Sequence, residues 1–360
     1  MFDPILIERF NTNVSVDFNR QPMIPQGPAL IGFIGAILIF LVGVVGNSIT
    51  ILAFYTQLKR MKQQYQATTT FVVYLAITDL SFCLICLPIT AGRFLNRSWP
   101  YGQHLCRLFP FFYYGTVASS LMLITMITIN RFILIAYTNL YHRIYIKRNV
   151  LAMILFCYLF SFGLLAVPLF EFWGRTGYRD DTFSCTILRD HRGRSPKKFL
   201  FILGFFLPML TILICYGLIW FIIKYKTKRF NCSSKEERSD DPRSLKSDRI
   251  KMKPTRMMKS IQRRGLRLTI LIVVIFGAFI LCFLPLFIGN VLIPENRSIT
   301  HSHSHFYPPI ISSFLLLYRY PYFHIIASVI AWSNSCVNPF LYFAMNQRYR
   351  QAFNRLFCRQ

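Results

Sequence analysis

Of the 360 residues, 54% are hydrophobic, 16% aromatic and 15% charged, a balance too apolar for an ordinary soluble domain and expected of a chain that crosses a membrane repeatedly. The formal net charge is +27, but the cations sit in the links between apolar runs, a topology pattern that argues against nucleic acid as the partner. The ten cysteines are scattered singly, and Cys83, Cys86, Cys157, Cys215, Cys282 and Cys336 lie inside apolar runs, where a thiol packs as a small hydrophobe.

Residues 1–28 are polar and mixed, with Pro4, Pro22, Pro25 and Pro28 breaking any helix, so they read as an extracellular tail without a cleavable leader. A membrane span needs about 20 predominantly apolar residues to cross roughly 30 Å of hydrocarbon. Seven runs meet that length, at about 29–55, 68–91, 106–135, 150–172, 199–223, 266–293 and 322–344. Backbone polar groups in lipid must pair within their own segment. The expectation is therefore an all-α membrane protein, a seven-transmembrane helix bundle occupying 29–345.

Between the fifth and sixth runs, 224–264 is polar, mixed in charge and aperiodic, and reads as a flexible cytoplasmic loop. In the last outer link, His301, His303 and His305 alternate, a pattern open to metal binding but explained by ordinary exposed histidines, and the apolar run 310–317 is too short to span. The tail, 346–360, alternates basic residues with Tyr349, Phe353, Leu356 and Phe357. That pattern is an amphipathic helix on the membrane surface, with Cys358 a palmitoylation candidate.

Lys and Arg in the short links set orientation. Lys59, Arg60 and Lys62, then Arg143, Lys147 and Arg148, then the loop after the fifth run and the tail arginines all fall on one side. The N-terminus is thus expected outside and the C-terminus inside a multi-pass protein of the plasma membrane. The N-glycosylation sequons at Asn13, Asn96 and Asn296 then all face outward.

Asp79 sits in the middle of the second span, where an ionised carboxylate is costly unless it meets a cation or a proton. Ser120, Asn334 and Asn338 are the oxygen donors that fit around it, the two asparagines sharing a helical face. Two readings stand: a sodium site, or a protonated carboxyl bonded to its neighbours. Arg131 ends the third run, where its guanidinium can snorkel to the boundary. Pro208, Pro285 and Pro339 each remove a backbone bond from a span and so supply joints about which one half can swing.

The joint order of Gly46-Asn47, Leu75 to Leu80 around Asp79, Trp99, Cys106, Asn130-Arg131-Phe132, Pro208, Tyr216, Phe279, Phe283, Pro285 and Asn338-Pro339-Phe340-Leu341-Tyr342 resembles a rhodopsin-like G-protein-coupled receptor along nearly the whole chain. That resemblance implies a Cys106–Cys185 disulfide, Arg131 engaging a heterotrimeric G protein, and Tyr216 and Tyr342 stabilising an opened state. It also implies arrestin-type regulators and no enzymatic activity. A narrower likeness covers Tyr141 to Tyr145, Trp173 to Tyr178, Ser184 to Asp190 and Ser195 to Phe201. Those stretches are similar to the insect receptor group of moody and trapped in endoderm, which implies a role in cell polarity, migration or barrier formation.

Three departures from the family pattern matter. Asn130 stands where an acid usually precedes the arginine, and Gly265 offers no acid opposite it, which predicts a weak resting lock. Phe283 and Tyr158 replace tryptophans, keeping aromatic bulk while losing the indole donor. Tyr113 occupies the place where receptors for amines resembling this one carry an aspartate, so an amine ligand is not expected; Tyr113 and Phe283 are the ligand-pocket candidates. The second outer loop holds Arg175, Arg179, Arg189, Arg192, Arg194, Lys197 and Lys198 against Asp180, Asp181 and Asp190, favouring an acidic lipid or peptide or else a merely solvated loop. The rival classes are a lipid transporter, which would need paired deep ionisable groups, and a non-signalling scavenger or adhesion receptor.

Overall fold

The computed structural model describes residues 23–60, 67–236, 270, 273–274, 276–285, 321–345 and 347–357. The expectations at Asn13, Asn296, Gly265, the three alternating histidines, the run 310–317 and Cys358 lie outside the described residues. Helix α1 is Gln26–Arg60. Helix α2 joins Ala67–Ser81 to Leu87–Leu95 through a π-helical turn, Phe82–Cys86. Helix α3 is Gly102–Ala136, and α4 is Lys147–Leu169. Helix α5 runs through Lys197–Phe201, a second π-helical turn at Ile202–Phe206, and Leu207–Glu236. Helices α6, α7 and α8 are Phe276–Pro285, Pro321–Met345 and Gln347–Phe357.

Five of these helices are long and apolar enough to cross a membrane. Their outward faces agree: Leu155, Phe156 and Leu159 on α4, and Leu213, Ile214, Trp220 and Phe221 on α5, are all exposed. A contiguous apolar surface of this kind faces lipid in a membrane bundle. Many of the threonines inside the spans are satisfied locally. Thr50, Thr78, Thr90, Thr116, Thr125, Thr128 and Thr211 each donate to the carbonyl four residues earlier. A hydroxyl therefore enters the apolar layer without an unmade bond.

Helix α3 is the hub, packing against α2, α4 and α5 and against the strand pair of the α4–α5 link. Helix α1 leans on α2, α7 and α8. Close approaches of helices call for glycine: a Cβ on Gly115 would stand 2.4 Å from the Phe162 ring of α4, and one on Gly35 would stand 2.8 Å from Val329 of α7. The core forms two clusters. One gathers Phe71, Leu75, Leu123, Phe279 and Tyr342 toward the Arg131 end. The other gathers Phe94, Trp99, Cys106, Phe109 and Trp332 toward the opposite end.

The structure departs from the sequence reading in three places. The fifth helix continues to Glu236, past the expected end at 223, so the first part of the supposed loop is helical. Its residues include the good helix formers Lys, Arg and Glu, and a helix leaving the membrane needs no apolar face to persist. A short helix, Thr138–Ile144, fills the α3–α4 link. Between α4 and α5 an antiparallel hairpin pairs β1, Arg175–Arg179, with β2, Ser184–Leu188, in the register Thr176 to Ile187 and Tyr178 to Cys185. Charged residues dominate that link in the sequence and hide the short alternation of buried residues along β1.

Candidate functional site

The bundle centre is built around the Asp79 carboxylate, 1% exposed. Ser120 of α3 donates its hydroxyl to one carboxylate oxygen at 3.0 Å, and the Asn338 amide of α7 donates to the other at 2.8 Å. Two of the three predicted donors thus converge, binding three helices to one group. Asn334, also predicted, is buried but forms part of a separate wall: with Ser120, Phe283 and Trp332 it lines a cavity of about 10 Å³. That volume suits one water-sized occupant. Beside this centre the Asn47 amide donates to the carbonyls of Gly43 and Ser335 at 2.9 and 2.8 Å, fastening α1 to α7.

At one end of the bundle, α3 presents Asn130 and Arg131. Asn130 is fully buried and does not turn toward its neighbour; its side-chain oxygen accepts from Thr68 of α2 at 2.6 Å. Its amide faces the hydroxyl of Tyr145, which follows the short helix of the link and stacks on Tyr141 at 4.8 Å. Burial, with Tyr141 beside it, pushes the Tyr145 phenol up to about 12, so it stays neutral. Arg131 is half-buried and lies within electrostatic reach of Tyr216, whose hydroxyl is 3.5 Å from Thr128. Tyr342 is not with them. It packs edge-on against Phe54 of α1, 6.1 Å between centroids, and lies 6.2 Å from Tyr349 of α8. Tyr349 in turn meets Thr50 at 3.1 Å, which seats α8 against α1.

Along α6, Phe276, Phe279 and Phe283 recur on one face. Phe283 meets Phe279 at 4.5 Å, Phe279 meets Phe205 of α5 at 5.8 Å, and Phe276 meets Tyr216 at 6.5 Å. This aromatic column runs from the central cavities to the neighbourhood of Arg131. Tyr158 keeps more than bulk: its hydroxyl lies 2.7 Å from Thr78 Oγ1 and joins α4 to α2, so a phenol replaces the missing indole donor.

At the opposite end, Cys106 and Cys185 form a disulfide that ties β2 to the start of α3. Trp99 donates to the Gly102 carbonyl at 2.9 Å and packs on Phe109. Asn96 is exposed here, at the close of α2, with its amide bonded to the Gly92 carbonyl. Beneath the hairpin lie two cavities sharing Tyr113, Tyr114 and Thr186 as a partition. The smaller, about 50 Å³, is lined by Arg93, Arg179 and His324 among others. The larger, about 200 Å³, runs between α3, α4 and α5 to Phe283. Both ligand-pocket candidates therefore line a cavity, and Tyr113 is fixed by a 2.8 Å bond from the Trp332 indole.

Sequence reasoning missed Arg93, Trp332 and His324. Ending the second span at 91 puts Arg93 in a link, whereas the helix carries it into the bundle, 8% exposed. Trp332 carried a usable signal, a lone indole on the helix that bears both asparagines. Of the seven loop cations, Arg179 and Lys197 reach the cavities, and Arg194 pairs with Asp190 at 2.9 Å.

Comparison with known proteins agrees with this geometry. A family model described as 7 transmembrane receptor (rhodopsin family) matches residues 46–342. Protein trapped in endoderm-1 of Drosophila melanogaster is 38% identical over 337 residues, covering 94% of this chain and 80% of its own length. The G-protein coupled receptor moody of the same species is 32% identical over 362 residues, covering 89% of this chain, which spans 50% of moody. In fold, squid rhodopsin superposes with a TM-score of 0.74 at 22% identity, over 96% of this chain and 90% of that one.

The Thr68–Asn130 bond makes a direct test of the Arg131 end. Thr68→Val leaves a buried carboxamide oxygen without a donor and should lower stability by about 1–3 kcal/mol. Thr68→Ser should retain it, as read from thermal unfolding of the purified chain in lipid nanodiscs.

Proposed function

Because the chain belongs to the rhodopsin family of seven-transmembrane receptors, we propose that it transduces an extracellular ligand to a heterotrimeric G protein, with the hairpin outside and Arg131 facing the cytoplasm. The plasma membrane is the proposed site of action, and arrestin-type regulators the proposed brake. Similarity to the two insect relatives supports a role in cell polarity, migration or barrier formation.

The observation that carries this reading is the placement of Arg131. It stands half-buried at the mouth of the bundle beside Tyr216, while Asn130 is committed to Thr68. Asn130 stands where a carboxylate would adjoin it in sequence, so the restraint an acid at that position would give is missing, and appreciable activity without ligand is the proposed consequence. Activation is a population shift: a ligand favouring the open bundle displaces Phe283, the column on α6 moves with it, and Arg131 becomes available. No covalent step is involved. A transporter would need paired deep ionisable groups, and among the described residues Asp79 is the one buried acid.

We also propose that Asp79 is an allosteric sodium site. One carboxylate among neutral oxygens carries a single negative charge, which suits a hard monovalent cation. Ser120 would hold the ion with it, and the small cavity bounded by Ser120 and Asn334 would supply the room. The bound charge would favour the compact arrangement in which Asp79 holds α2, α3 and α7 together.

Three outcomes test these proposals. Arg131→Ala should reach the cell surface normally yet lose agonist-stimulated nucleotide exchange; retention of exchange would contradict the assigned role. Asn130→Asp, which restores an acid beside the arginine, should lower basal exchange at equal surface expression. Asp79→Asn should abolish the effect of sodium on thermal stability and on basal exchange, measured against potassium at matched ionic strength.

A further inference from the structure

The two cavities beneath the hairpin differ in chemistry. The smaller is basic: among the described residues Arg93, Arg179 and His324 line it and no carboxylate does. Arg93 is the informative member. It is 8% exposed, its Nε has no hydrogen-bond partner, and its guanidinium reaches only the Phe183 carbonyl, at 3.3 Å, and the Phe94 ring, at 4.4 Å. Phe183 adopts a left-handed backbone, φ 48°, to place that carbonyl. The other buried arginine of this end, Arg107, is treated differently, being paired with Glu171 across the α3–α4 corner. A buried cation without an acid is costly, and an incoming anion would remove that cost.

The larger cavity is lined by Val117, Ala118, Leu121, Leu164, Leu165 and Phe201 among other apolar groups, with Lys197 as its one charged residue. The partition between the two is thin. Tyr113, Tyr114 and Thr186 line both, and Tyr114 meets Thr186 at 3.0 Å. One occupant can therefore present an anionic group on one side and an alkyl segment on the other.

We infer that the ligand of this receptor, on the reading given above, is an acidic lipid: an anionic head held by Arg93 with Arg179 and His324, and an alkyl chain seated between α3, α4 and α5. A peptide would have to supply backbone polar groups to the apolar chamber, where few partners for them exist. The chain end also adjoins Phe283, which lines both the larger cavity and the small one next to Ser120, so occupancy acts directly on the α6 column.

The test measures binding to the purified full chain in neutral nanodiscs by thermal shift. The probes are monododecyl phosphate, dodecanol, inorganic phosphate and an oligoglutamate peptide. Monododecyl phosphate should stabilise saturably at concentrations where the alcohol and inorganic phosphate do not. Arg93→Gln should weaken it by about tenfold or more, the loss of a charge-assisted bond. Should that variant fail to fold, Ala118→Trp decides, since it fills the apolar chamber, leaves Arg93, Arg179 and His324 in place and should abolish binding. Equal stabilisation by dodecanol, unchanged affinity in Arg93→Gln or Ala118→Trp, or preference for the peptide would overturn the assignment. Saturable, Arg93-dependent binding with no stimulated nucleotide exchange would uphold the ligand class and count against the signalling reading instead.

Discussion

One buried carboxylate organises this molecule. Asp79 lies in an apolar layer where its charge has no aqueous shell, so Ser120 and Asn338 must face it from two other helices. That requirement fixes the rotation of α2, α3 and α7 about their own axes. With α3 and α7 so oriented, the Trp332 indole meets Tyr113 and the Asn47 amide meets the Ser335 carbonyl. The apolar and basic cavities beneath the hairpin follow from that orientation at one end of the bundle, and the placement of Arg131 follows from it at the other.

The Arg131 end shows how a familiar device is rebuilt with neutral groups. An acid next to the arginine would hold it electrostatically, but Asn130 instead spends its oxygen on Thr68 and turns its amide toward Tyr145. Asn130 thereby ties α3 to α2, while the guanidinium lies within reach of Tyr216 and its other surroundings. Neutral hydrogen bonds are weaker than charge-assisted ones, so the Thr68–Asn130 bond holds α3 less firmly than an ion pair at that position would. Tyr158 is a second such substitution: its hydroxyl makes the α2–α4 connection that an indole would otherwise make.

The hairpin end is ordered by covalent and electrostatic constraint together. The Cys106–Cys185 disulfide pins β2 above α3, and the Arg107–Glu171 pair closes the corner between α3 and α4. These restraints hold Thr186 against Tyr114 and Phe183 against Arg93. The result is a roof that is rigid over the basic chamber and continuous with the apolar one, which is the shape the proposed lipid requires.

Much of this was legible in the residues themselves. Apolar runs long enough to span, with cations gathered in alternate links, compel a helical bundle because unpaired backbone is not tolerated in lipid. A lone acid in the second run compels polar partners, and Ser120 and Asn338 were identifiable as donors from their type and spacing. What the sequence could not decide were the contacts that depend on how far helices extend and how they turn. Arg93 reads as a link residue until α2 is seen to continue to Leu95, and Lys224 to Glu236 read as loop until α5 is seen to continue past the apolar run. Asn130 reads as a missing acid until Thr68 is found against it. The physical reason is common to all three: composition determines which segments must be buried, but a side chain's partner is set by helix length and rotation, which only the packed tertiary structure determines.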